Sequence, residues 1–452
     1  MRNPEFSERT RVLDLTDLRN KTFDVLVIGG GINGSGVANT LAQMGISTVL
    51  VEANDFASGT SSASSKLIHG GLRYLQQGRI REVRNLIRER DYLRRNTQIV
   101  KDIEFHILIT PDSWHRWEIR LGLVIYNLLG HRITFPIFHR NRGEYPSVVR
   151  GYFSYLDAMT DDSRLVISNI CSAHNHGAVC LNYARFTAIE RNESGFSARI
   201  SDSLTGKEYV VHAKIVVNCT GPWAAEAMKL IGTSNRPDIR LSRGIHIVMP
   251  AGIFSLKNAI AFRSHVDGRQ LFVIPHGEVV HIGTTDNFVG SPEDREISKE
   301  EVNYLLESTS AIFGKMDAAS VITSFCGIRP LVSESSDPGK ATREFSVLQD
   351  DGIIHVLGGK LTDYRIASRK VAGMVAKSLG IKSDMDGLPK IDYERDASDD
   401  PVQYDLDYEC AITVDDIVRR REGSSIYSLD AGASMKKEVE RHVGKGDVEN
   451  QG

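Results

Sequence analysis

A cluster of glycines marks where this chain could do chemistry. Gly29-Gly30-Gly31-Ile32-Asn33-Gly34-Ser35-Gly36 follows the apolar run Val25-Leu26-Val27-Ile28, and a second run, Thr48-Val49-Leu50-Val51, ends in Glu52. The Gly29-x-Gly31-x-x-Gly34 spacing suits a strand that turns tightly into a helix. Backbone N–H groups at that helix start can approach a pyrophosphate, and the Glu52 carboxylate can bond a ribose hydroxyl. Strand, helix, strand and acid together predict dinucleotide binding.

Three later segments bear on which dinucleotide. Thr60-Ser61-Ser62-Ala63-Ser64-Ser65-Lys66-Leu67-Ile68-His69-Gly70-Gly71-Leu72-Arg73-Tyr74 comes soon after the ribose acid. Its small side chains let the backbone wrap a pyrophosphate and a flat ring, and its hydroxyls and N–H groups are donors. The apolar, aromatic ending sets it apart from a disordered serine-rich linker. Ile215-Val216-Val217-Asn218-Cys219-Thr220-Gly221-Pro222-Trp223 reads as a buried parallel strand entering a Thr-Gly turn. Val356-Leu357-Gly358-Gly359-Lys360-Leu361-Thr362 reads as a strand, a glycine pair and a new helix start. Such a start places positive potential where the electron-rich edge of a flavin could sit. Each segment alone also suits an ordinary α/β turn; together they favour a flavin.

These residues need a frame. Residues 1–22 read as an irregular lead-in, and 23–52 as a βαβ unit. Residues 79–95 read as an arginine-rich helix with Val83, Leu86, Ile87 and Leu93 on its apolar side. Residues 114–129 follow as another amphipathic helix, and 131–150 as loop. A helix is predicted over 161–175, then short strands up to Asn218. Between 243 and 290, short β-type runs with Gly and Pro punctuation predict an antiparallel sheet. A helix over 298–313, strands near 321–329 and 353–357, and a helix over 361–379 complete the body. An acidic, turn-rich stretch then leads to a last amphipathic segment, 408–421. The fold class expected is α/β, a Rossmann-like dinucleotide domain (23–110, 151–240 and 320–380) interleaved with an antiparallel β substrate or cap domain (111–150 and 241–319). Residues 381–452 form a short helical C-terminal region.

Composition bounds the possibilities. The 452 residues carry a net charge of −3, which gives no bulk attraction to nucleic acid. The five cysteines have no metal-ligand spacing, so no metal is expected, and their scatter suggests reduced, buried thiols. No apolar run reaches the length of a membrane span. The expectation is a protein inside the cell, soluble or bound to a membrane face.

Over about residues 23–380 the motifs resemble those of the FAD-dependent glycerol-3-phosphate dehydrogenase family. To the segments above are added Arg243-Gly244-Ile245-His246, Ile282-Gly283-Thr284-Thr285-Asp286, Gly327-Ile328-Arg329-Pro330 and Thr342-Arg343-Glu344. The resemblance implies hydride transfer from C2 of sn-glycerol 3-phosphate to flavin N5, giving dihydroxyacetone phosphate, with electrons passed to a membrane quinone. It implies cofactor contacts from Gly29, Gly31, Asn33, Gly34, Glu52, Thr60, Ser61, Ser65, Lys66, Leu67, His69, Gly70, Gly71, Thr220, Gly221, Gly359, Lys360, Leu361 and Thr362. It implies substrate contacts from Arg73, Tyr74, Arg329 and Arg343, and arginine is the residue best suited to a phosphate dianion.

Oxidising an alcohol also needs a base, and His246 is the candidate among 14 histidines. Ile245 and Ile247 point to the other face of its strand; a satisfied core histidine is the competing reading. Lys360 and Arg329 would act beside it, while His69 suits a packing role. Residues 79–95 carry seven arginines, and 114–126 join aromatic, basic and apolar side chains, as interfacial helices do. The expected location is cytoplasmic, peripheral on the inner face of the membrane, with homo-oligomers left open. Oxygen as acceptor, a carboxylate substrate and a silent flavoprotein scaffold are the alternatives.

Overall fold

The computed structural model describes residues 3–111, 116–131, 135–234, 236–332, 344–382, 385, 387–395 and 400–449. Arg343 and the start of the expected 114–129 helix lie outside the described residues.

The βαβ unit forms as its pattern predicts: strand Thr22–Ile28, helix Ile32–Gln43, strand Thr48–Val51. The strands pair in parallel, from Val25 opposite Thr48 to Ile28 opposite Val51. Residues 25–28 and 48–51 are almost wholly buried, as their apolar composition requires. Glu208–Asn218 pairs in parallel on the other side, and Ile353–Leu357 beyond it. Val179–Leu181 and Ser346–Asp350 lie at the two ends of this sheet, and Ala184–Asn192 with Gly195–Asp202 extends from Glu208–Asn218. Helix Ile32–Gln43 packs against helices Asp162–Asn175 and Tyr364–Leu379. Val37, Leu41, Ile167, Ile170, Val371 and Val375 fill the core between them.

The second sheet is antiparallel around Arg240–Pro250, which lies between Val279–Gly283 and Thr323–Leu331. Gln270–His276 and Ala259–Arg263 continue it. Val100–Ile109 and Gly151–Thr160 also belong to this sheet, although their segments were grouped by sequence with the dinucleotide part. The two sheets thus alternate along the chain more often than the composition suggests.

Two segments differ from expectation. The lead-in contains the helix Glu8–Asp17, started by a capping box at Ser7. Its inward residues are Leu15, which joins an apolar cluster, and Arg11, which donates to Asn182 O at 2.8 Å and pairs with Asp202. The 408–421 segment is not one helix. Pro401–Tyr408 is helical, and after a break Asp416–Arg421 winds as a π-helix.

Candidate functional site

The glycine loop, the 58–64 segment, the 220–223 turn and the 358–361 turn enclose a cavity of about 750 Å³. Arg185, Glu293, Arg295, Thr413, Asp415 and Arg420 complete its walls. A Cβ on Gly34 would stand 1.8 Å from Gly29 O, so only glycine lets the helix start this close to the strand end. The Ser61 hydroxyl accepts the Ile32 N–H at 2.9 Å. The Asn33 side chain donates to Gly358 O at 3.1 Å, tying the first turn to the last, and its Oδ1 is buried without a partner. The Glu52 carboxylate accepts the N–H groups of Gly30 at 2.7 Å and Asn54 at 2.9 Å. Burial outweighs those bonds and pushes its pKa above the ordinary carboxylate value. Thr60 donates to Ile328 O, and Thr220 to Asn218 Oδ1 at 2.7 Å.

One cleft therefore gathers Gly29, Gly31, Asn33, Glu52, Thr60, Ser61, Thr220, Gly221, Gly359, Lys360 and Leu361. The rest of the serine-rich motif stands behind it. Lys66 is 1% exposed, paired with Asp162 and bonded to Ser62 O at 2.8 Å. Leu67 packs in an apolar cluster, and Gly70 N–H reaches Asp157 at 3.1 Å. The buried Thr362 hydroxyl donates to His69 O at 3.3 Å.

His246 projects from Arg240–Pro250 on the face opposite Ile245 and Ile247, which join the apolar core as the alternation predicts. It is buried, its ring stacked on Phe325 at 5.0 Å between centroids. Nε2 lies 3.0 Å from the Ser65 hydroxyl, while Nδ1 has no partner. Gly283 on the adjacent strand makes room, since a Cβ there would be 2.4 Å from the His246 ring. Burial, then the charges of Arg329 and Lys66, pushes the His246 pKa down to about 3, so the ring is neutral, with an unprotonated nitrogen but weak basicity. Arg329 meets Thr284 Oγ1 at 3.0 Å and Asp286 at 3.3 Å.

Lys360 lies 2.6 Å from Glu82 and 5.0 Å from the Tyr74 ring centroid. Burial raises the Asp363 pKa to about 6 despite Lys360. Arg73 lines a separate, smaller pocket of about 210 Å³ with Trp117, Leu121 and Ile107.

Sequence reading missed Asp55, Glu82 and Asp162. Asp162 had a signal: a lysine within a run of serines needs an acid partner once it is buried. The residues present suit a long dinucleotide. The helix start at the glycine loop lacks a cap from its own N-cap residue, Asn33 offers an unpartnered oxygen, and Glu52 stands at the end of the second strand of the βαβ unit, bonded to the Gly30 N–H.

The family model for FAD dependent oxidoreductases matches residues 24–362. The chain belongs to this family. It is 38% identical over 360 residues to the glycerol-3-phosphate dehydrogenase of Pseudomonas aeruginosa, covering 76% of this chain and 70% of the relative. It is 33% identical over 407 residues to the aerobic glycerol-3-phosphate dehydrogenase of Bacillus subtilis, covering 86% and 73%. The solved glycerol-3-phosphate dehydrogenase of Bacillus halodurans, complexed with FAD, aligns at a TM-score of 0.78 over 97% of this chain and 94% of that one, at 24% identity, and shows the shared fold. The α/β fold class, the family resemblance and FAD as the cofactor are thereby borne out. Among the described residues, no group of His, Cys, Asp and Glu could hold a metal ion.

Proposed function

We propose that this protein is an FAD-dependent dehydrogenase of sn-glycerol 3-phosphate that yields dihydroxyacetone phosphate, with a membrane quinone as the final acceptor. The observation that carries this reading is His246, neutral and buried beside the cationic Arg329, in a chain whose relatives bear that activity in their names. FAD, held by the glycine loop, Glu52, Thr60, Ser61, Thr220 and the 358–361 turn, supplies a two-electron acceptor for the hydride leaving C2.

The residues divide the remaining work. Arg329 pairs the phosphate, and Tyr74 and Arg343 join it through their family motifs; Arg73 carries the same motif but lines the separate pocket with Trp117. His246 takes the hydroxyl proton. Substrate phosphate beside Arg329 offsets the charge that helps to depress the His246 pKa, so the base strengthens as substrate binds. Lys360 adds positive charge where negative charge develops. The parallel sheet serves the cofactor and the antiparallel sheet the substrate.

A membrane surface is supported by helix Arg116–Leu129, where Trp117, Leu121 and Leu128 share one face and are each more than half exposed. The neighbouring helix exposes Arg81, Arg84 and Arg88. No helix among the described residues is long and apolar enough to cross a membrane. We assign the protein to the cytoplasmic face, docked peripherally.

Anaerobic titration of the purified protein with sn-glycerol 3-phosphate, followed by flavin absorbance, tests the substrate. Stoichiometric bleaching is expected, and a bound flavin that stays oxidised overturns the assignment. Peroxide formed in air during turnover would make oxygen the acceptor in place of quinone.

A further inference from the structure

Lys360 does not meet the cleft alone. Its ammonium donates to a Glu82 carboxylate oxygen at 2.6 Å, and Asp363 lies 3.7 Å away. The two paired side chains are 8% and 9% exposed, so water screens them weakly. The other Glu82 oxygen meets Arg79 Nε at 2.6 Å. Arg79 in turn reaches Glu344 at 2.7 Å and lies over the Tyr74 ring at 5.4 Å. Glu82 sits in the first turn of helix Ile80–Asn96, outside the βαβ unit that carries the glycine loop. An acid there favours the helix dipole, and a pair with Arg79 three residues earlier adds only a little more. Neither effect requires Glu82 to turn inward onto a lysine in the cleft wall.

We propose that Glu82 acts through Lys360 as its counter-charge, so that the pair, and not the lysine alone, sets how strongly the site favours the negative charge of reduced flavin. The inference rests on the reading that FAD fills the cleft beside Lys360. A lone buried ammonium would favour that charge strongly, and a carboxylate 2.6 Å from it cancels much of its field at the distance of the cofactor. Glu82 is thus a positioning residue that restrains reduction. Glu82→Gln keeps the shape and an acceptor oxygen for the ammonium and removes only the charge.

The test uses the purified holoprotein with sulfite as the probe, alongside the flavin midpoint potential. Sulfite adds to oxidised flavin and leaves negative charge on the ring, so its Kd reads the charge balance without substrate or turnover. Glu82→Gln is expected to tighten sulfite about tenfold, which equals about 30 mV for a two-electron couple. Lys360→Met is expected to weaken it by a similar factor, and the double variant to return within about threefold of the parent. Glu82→Asp, which restores the charge, is expected to stay near the parent. A Glu82→Gln holoprotein with unchanged sulfite Kd and midpoint potential overturns the proposal, whatever its stability. A double variant that behaves as Lys360→Met alone does so too. A folded parent protein that binds no FAD overturns the cofactor reading, and this inference with it.

Discussion

The hydroxyl of Ser61 accepts the backbone N–H of Ile32 at 2.9 Å. Two motifs separate in sequence are therefore one structural unit. The N-cap position of helix Ile32–Gln43 is Gly31, which has no side chain to cap it, and Ser61 supplies the missing oxygen from outside.

Ser61→Ala removes that cap. We expect a loss of about 1 kcal/mol in urea unfolding, together with faster loss of FAD on dialysis. Unchanged FAD retention would show that the cap serves the helix and not the cofactor.

His246→Gln tests the base. The flavin spectrum should survive, while kcat falls by about 10²- to 10⁴-fold. Anaerobic stopped-flow reduction is the measurement, and a variant reduced as fast as the parent would return His246 to the role of a core residue.

Asp55 accepts hydrogen bonds from Arg420 Nε at 2.6 Å and Arg421 Nη2 at 3.0 Å, all three buried. Asp55→Ala leaves two arginines without their shared acid. The expected cost is about 3–5 kcal/mol, read by denaturant unfolding. A loss below about 1 kcal/mol would mean that the site relaxes or admits water.

Acid should weaken the fold through its buried histidines. His246 and His276 are both pushed down to about 3 by burial, and His281 is pushed down as well. The unfolded chain takes up protons on these rings below about pH 6.5, and the folded chain does not. Their contribution is complete above pH 6.5 and is lost as pH falls from there toward 3, by up to about 1.4 kcal/mol per pH unit for each ring. Melting temperatures between pH 7.5 and 5 check this. The variant His276→Gln with His281→Gln should show a shallower fall, and an equal slope would assign the acid sensitivity to other groups.

Local pattern carried the parts of the structure that are local. The Gly29–Gly34 spacing and Glu52 lie within one βαβ unit, so their contacts follow from the sequence between them. Strict alternation around His246 placed it opposite Ile245 and Ile247, as found. Asp55 was not legible because its partner Arg420 lies 365 positions away and no period links them. Glu82 was hidden for another reason: Val83, Leu86, Ile87 and Leu93 account for the apolar side of its helix, which leaves a neighbouring acid to solvent by default. The helix Glu8–Asp17 escaped because it buries only Leu15 and the charged Arg11, too few apolar positions to show a helical period.

The cleft wall built from Thr413, Asp415 and Arg420 also orders events during synthesis. The glycine loop leaves the ribosome early, but the wall that closes over the same cleft emerges nearly 400 residues later. At about 5–20 residues per second, the nascent chain must hold a half-built site for tens of seconds. The cleft is complete only once Arg420 and Arg421 reach Asp55.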